Sequence, residues 1–185
     1  MKKYILGILI IISVVLISGC VSNSNNNNET QIQTLAENGI SMKFPGTWVS
    51  ANSKNNETVV AVADPNFVDS TTGFGKVSVV IQKKTLNSSS KDFSSITTLF
   101  NQTYQNLFSN SSYKLIAEGY VTVGTYSDAL ECIYTFDENG TVKKHRAIWI
   151  EDNNEVYVIL CTAPENEFDS QFKNFDFIIN NFKII

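Results

Sequence analysis

Histidine is nearly absent from this chain, with His145 the single example in 185 residues, and the familiar catalytic signatures are missing altogether. No Gly-x-Ser-x-Gly elbow, His-Glu-x-x-His helix, Cys-x-x-Cys pair or phosphate-binding loop occurs. The Gly73-Phe74-Gly75 stretch lacks the third glycine and the strand-to-helix setting of a dinucleotide loop. An enzyme needs placed acids, bases or nucleophiles, so the expectation is a protein that is not an enzyme and uses no cofactor. A surplus of positive charge is also missing. Without Lys2 and Lys3 the chain has 12 basic and 18 acidic side chains, a net charge of −6, which argues against a nucleic-acid partner because such binding neutralises phosphates. The one basic run, Lys143-Lys144-His145-Arg146, lies where residues alternate like a strand, so its charges divide between two faces and read as a solvated strand edge. Finally, no apolar run reaches the roughly 20 residues that span a bilayer. The longest, Tyr4 to Ile17, has 14.

That run is what the chain does have at its start. Lys2 and Lys3 precede it, and Leu16-Ile17-Ser18-Gly19-Cys20 follows, which is the layout of a signal peptide (residues 1–19) ending in a lipobox. Small residues before Cys20 admit a signal peptidase and leave the thiol free to take a diacylglyceryl group. The expected partner there is membrane lipid, and the expected location is the outer face of the cytoplasmic membrane; the alternative is an uncleaved anchor. Residues 20–38 are the lipidated cysteine and an Asn-rich tether with Asn25 to Asn28 unbroken, too polar to form a core. Residues 39–185 are expected to be one globular domain.

Within that domain Ile40, Met42 and Phe44 alternate with polar neighbours in a strand closed by Pro45-Gly46. Val59 to Ala63 and Lys76 to Lys84 read as further strands, separated by a loop from Asp64 to Gly75. Residues 91–109 change period: Phe93, Ile96, Leu99, Phe100, Tyr104, Leu107 and Phe108 recur at three and four, so an amphipathic helix is expected, capped by Ser89 or Ser90 with Asp92 near its positive end. Four strands follow, Tyr113 to Val123, Ala129 to Asp137, Thr141 to Glu151 and Glu155 to Thr162, with hairpin turns at Asn139-Gly140 and Asn153-Asn154. Pro164 opens a last helix, with Phe168, Phe172, Phe175, Ile179 and Phe182 along one face. The order of elements gives an α+β class, with helices covering a mostly antiparallel sheet.

The Phe44-Pro45-Gly46-Thr47-Trp48 stretch, the meander carrying Arg146 and then Val156-Tyr157-Val158-Ile159, and the closing helix with Pro164, Phe168 and Phe172 resemble the Mog/PsbP-like family over about residues 37–185. The resemblance implies an αβα sandwich, with a central antiparallel sheet flanked by two main helices. It also implies a non-catalytic accessory or binding role, since relatives include an extrinsic photosystem II subunit and many exported prokaryotic lipoproteins. The Asn-rich spacer does not resemble that subunit's docking extension, so no photosynthetic role, metal site or partner site is carried over.

The remaining cysteines, Cys132 and Cys161, fall in strands with a third strand between them, about 9 to 10 Å apart at two interstrand spacings, too far for a disulfide. Free buried thiols are expected. If the turn after Glu151 held three residues, so that Glu151 faced Glu155, Cys161 would face His145, with Cys132 diagonal to it, and the three could hold a metal such as zinc; a one-residue change of register removes that site. The reading adopted has no metal site. Sequons at Asn28, Asn56, Asn87, Asn101, Asn110 and Asn139 are glycosylation candidates, against about four expected by chance from the composition. The leading expectation is therefore a lipid-anchored, non-catalytic domain that binds or scaffolds a protein partner in a membrane complex, through the Asp64 to Gly75 loop or an uncovered sheet face or edge. Two alternatives are a small-ligand or metal capture protein serving a transporter and, behind it, a cell-envelope hydrolase working through carboxylates such as Glu131, Asp152 or Glu155.

Overall fold

The computed structural model describes residues 15–16, 31–53, 55–86, 95–138 and 140–185. Cys20, most of the leader, the Ser89 and Ser90 cap candidates, Asp92, Phe93 and Asn139 lie outside the described residues. In chain order the elements are β1 (Val15–Leu16), β2 (Ile32–Glu37), β3 (Ile40–Pro45), β4 (Val49–Ser50), β5 (Asn52–Ser53), β6 (Thr58–Ala63), β7 (Ser78–Thr85), α1 (Ile96–Phe108), β8 (Tyr113–Val123), β9 (Tyr126–Glu138), β10 (Thr141–Asp152), β11 (Glu155–Pro164), α2 (Glu165–Asn180) and β12 (Lys183–Ile184).

The main sheet has seven strands in the order β4-β6-β7-β11-β10-β9-β8, and each neighbouring pair is antiparallel. Its long strands are built from β-branched and aromatic residues that pack on a pleated surface, and tight turns join the last four. Asn153 and Asn154 hold positive φ angles of 48° and 67° between Asp152 and Glu155, as a two-residue hairpin that follows the sheet twist requires. Because side chains alternate, β10 sends Ala147 and Trp149 to one face and Ile148 and Ile150 to the other.

Each face carries a core. On one, α1 lays Leu99, Phe100 and Tyr104 over Cys132, Tyr134, Trp149, Val158 and Leu160. Its N-cap is Ser95, whose hydroxyl accepts from the Thr98 amide at 3.2 Å, so the described helix starts later than the spacing of apolar residues implied. On the other face, α2 and the small sheet β12-β3-β2 bury Phe168, Phe175, Ile178 and Ile179 with Ile40, Met42 and Phe44. Pro164 stands at the N-cap of α2, one position earlier than expected, and Glu165 and Glu167 occupy the first turn, where the helix dipole favours acids. Burying each of these large apolar side chains contributes on the order of 1.5–3 kcal/mol. The architecture is the expected α+β sandwich: helix, antiparallel sheet, helix.

Two expectations need correction. Regular structure is present before Gly39, because residues 32–37 form β2 against β3. Most of β2 is exposed on both sides, so its own residues carry no alternation; the hydrogen bonds of β3 make it a strand. The basic run at 143–146 also divides between two faces as expected, but it is no solvated edge. It lies in β10, a central strand, and both His145 and Arg146 are buried.

Candidate functional site

The register around β10 decides which reactive groups meet. Glu138 pairs with Thr141 and Cys132 with Ala147, whereas the two-residue turn after Asp152 sets Cys161 opposite Arg146 and Thr162 opposite His145. His145 and Cys132 thus face α1, Cys161 faces α2, and the three do not share a face. Both thiols are free and buried, and burial pushes each up to about 12, which keeps them protonated and unreactive. His145 stacks on Tyr134 at 4.9 Å between ring centres, and its Nδ1 lies 2.9 Å from the Thr162 hydroxyl. Burial, with Lys143 nearby, lowers its pKa to about 3, so the ring is neutral.

On the α2 face, Arg146 donates from Nε to Glu131 and from Nη1 to Asp176, both at 2.6 Å, and its guanidinium lies 5.1 Å from the Phe172 ring centre. Burial opposes the charge, and the bonds to Asp176 and Glu131 outweigh it and raise the pKa. The acids named as hydrolase candidates are not brought together. Glu131 serves Arg146, while Asp152 and Glu155 pair across the distant β10–β11 turn, where Glu155 sits 3.4 Å from Lys83.

Two features remain as candidate sites. The first is a cleft of about 680 Å³ at one end of the sheet. Its outer wall is the Asp64 to Gly75 loop, which contributes Phe67, Asp69 and Phe74. That loop is cross-braced: the Asp69 carboxylate accepts from the amides of Thr71 and Thr72 and from the Thr72 hydroxyl, each at 3.0 Å, Val68 bridges Gly75, and Gly73 takes the positive φ of 70° that the reversal needs. Those bonds, the amide of Thr72 foremost, hold the Asp69 carboxyl below its usual value. The opposite wall is the β9–β10 hairpin with Glu138 and Lys143, and Thr162 and the start of α2 form the floor. Sequence reasoning singled out the loop but missed Thr162, whose only signal was its place beside His145 across the strands.

The second is the edge strand β8. Its two ends, Tyr113 and Val123, are buried in the two cores, and residues 114–120 between them are exposed. Tyr120 is 72% exposed, Ile116 51% and Leu115 46%. Breaks in register at Ile116 and Thr122 leave Ala117 to Val121 as an uninterrupted ladder against β9.

The sequence matches the family described as PsbP-like protein over residues 6–184. The chain belongs to the PsbP-like family. Among solved structures, cyanobacterial PsbP (CyanoP) from Synechocystis sp. PCC 6803 is similar to this PsbP-like chain with a TM-score of 0.59 and 12% identity, covering 90% of this chain and 100% of its own. The Ran-binding protein Mog1p of Saccharomyces cerevisiae gives a TM-score of 0.53 and 9% identity, covering 83% of this chain and 95% of its own. At such identities the likeness is one of fold, and it agrees with the family resemblance read from the Phe44 to Trp48 stretch and the meander. No curated protein matches this PsbP-like chain in sequence.

Proposed function

We propose that this PsbP-like protein is a non-catalytic accessory protein, anchored by lipid on Cys20 at the outer face of the cytoplasmic membrane, that holds a partner protein of a membrane complex at the edge strand β8. The observation that carries the reading is the exposure of β8 on both faces, with Leu115, Ile116 and Tyr120 open to solvent. Natural sheets cover, charge or shorten such edges, and a bare edge is a template on which an extended segment adds as a further strand. The register breaks confine that strand to the five residues 117–121, and the apolar side chains around them supply pockets for alternate side chains of the guest. Mog1p, which shares the fold, is described as a Ran-binding protein.

The lipobox supplies the other half of the reading. A lipid on Cys20 would confine the domain to a thin shell at the membrane surface. Confinement to that shell raises the effective concentration for a membrane-embedded partner. The carboxylate hydrolase has no observation in its favour.

The test is a photo-crosslinking amino acid placed at position 120 in membranes of the expressing cell. It is expected to capture one membrane protein, the adduct being lost with Ala117→Pro, which removes a ladder donor, while Cys20→Ser releases the domain from the membrane fraction. Absence of any adduct, or an adduct indifferent to Ala117→Pro in a folded variant, overturns the β8 reading. Retention of the Cys20→Ser chain on membranes overturns the lipid anchor.

A further inference from the structure

We propose that the cleft beneath the Asp64 to Gly75 loop is a binding site for a neutral carbohydrate, a short run of uncharged sugar rings. The site is separate from the β8 edge and stands or falls independently of it. Its volume, about 680 Å³, lies within the roughly 300–1,000 Å³ typical of small-molecule sites, which are largely apolar with a few placed polar groups.

The charges select the class of ligand. Lys76 and Lys143 line the cleft with Asp69, Glu138 and Glu167. Lys76 lies 3.6 Å from Asp69 and Lys143 2.6 Å from Glu138, so each ammonium is already matched. An anion such as phosphate would face three carboxylates, and the positive end of the α2 dipole is already occupied by Glu165 and Glu167 in the first turn. A polycation would face two ammonium groups. A neutral molecule escapes both penalties, provided it offers donors to the carboxylates and acceptors to the lysines. Sugar hydroxyls do both.

The apolar lining fits the same class. Phe67, Phe74 and Pro164 are among the lining residues, and laying the C–H face of a pyranose against apolar groups removes apolar area from water. The floor adds a built anchor. Thr162 is buried, and its hydroxyl is held 2.9 Å from the buried His145 ring, itself stacked on Tyr134. A hydroxyl fixed from behind has its remaining hydrogen-bonding direction set before a ligand arrives. Preset, desolvated polar groups of this kind reject ligands that leave them unpaired, which makes Thr162 the position where a sugar hydroxyl is recognised.

The experiment uses the full chain in a sugar-free zwitterionic detergent and saturation-transfer NMR with cellobiose, maltotriose and N,N′-diacetylchitobiose, with spermidine and inorganic phosphate as charged controls. Saturable binding of at least one neutral sugar is expected, weakened about tenfold or more in Thr162→Val and in the surface variant Lys143→Ala, and unchanged in Lys173→Ala on the exposed side of α2. Circular dichroism checks that each variant is folded. The inference is overturned if none of the sugars binds, if phosphate or spermidine binds in their place, or if sugar affinity is the same in folded Thr162→Val and Lys143→Ala.

Discussion

His145 shows what a single buried residue does to the pH response of the whole domain. Its folded pKa is about 3 against an ordinary 6.5, because burial, with Tyr134 stacked on the ring, disfavours the charged form and Lys143 lies close enough to repel a second positive charge. Above 6.5 the ring is neutral in both states and adds no slope. As pH falls below 6.5 the unfolded chain takes up a proton that the folded chain refuses, so stability declines by up to about 1.4 kcal/mol per pH unit down to the folded value. Urea titrations from neutral to mildly acid pH should show this slope in the native protein and a flatter one in His145→Gln. Equal slopes would mean that the ring is solvated in the folded state. Arg146, the neighbour on the opposite face, works differently. It stays charged, and its two carboxylate partners at 2.6 Å are what make burial tolerable. Replacing it leaves Glu131 and Asp176 facing each other with no cation.

At the scale of elements, the β10–β11 hairpin depends on its turn. Asn154 combines a positive φ of 67° with a side-chain bond to the Leu86 carbonyl at 2.9 Å, tying the hairpin to the chain leaving β7. Asn154→Ala is expected to cost about 1–2 kcal/mol, from backbone strain and the lost hydrogen bond, read as a lower urea midpoint with unchanged slope; an effect below about 0.5 kcal/mol would show that the turn bears no strain. This turn also marks where the sequence stopped being legible. The four-strand meander could be read because Val, Ile and Tyr alternate over long stretches and Asn-Gly and Asn-Asn punctuate them. The length of the second turn could not, since Asp152-Asn153-Asn154-Glu155 suits two residues or three, and that one residue sends Cys161 to the face away from His145. Strand β2 was invisible for another reason: five of its six residues are exposed, and pairing with β3 is a property of the partner. The cleft was legible only in its loop. Its floor and far wall come from segments about 70 to 90 positions later in the chain, none distinctive alone.

Across the whole molecule, one sheet serves two cores, and the two tryptophans report on them separately. Trp48 packs with Phe175 on the α2 face, at 6.2 Å between ring centres, and Trp149 sits under α1 with its indole N–H donating to the Tyr104 hydroxyl at 3.1 Å. Because the strands between them contribute side chains to both cores, neither face can be lost without the other's support. Single-tryptophan variants, Trp48→Phe and Trp149→Phe, should each show fluorescence and far-ultraviolet circular dichroism transitions with coincident midpoints. Separate midpoints within either variant would show that the faces melt independently.

The close approach at Gly46 has a mechanical meaning. A Cβ there would strike the Gln31 carbonyl, so glycine lets the incoming chain lie against the end of β3 at the point where Ile32 pairs with Pro45. That point is the open end of the β2–β3 hairpin, whose closed end is the turn at Asn38-Gly39. A pull on residue 31 therefore loads one inter-strand hydrogen bond at a time and peels β2 as a zipper opens, while β3 stays clamped between α2 and β12. The domain would yield about three residues of slack, some 10 Å at strand spacing, before Leu35, which packs against the core, felt the load, giving it a built-in shock absorber.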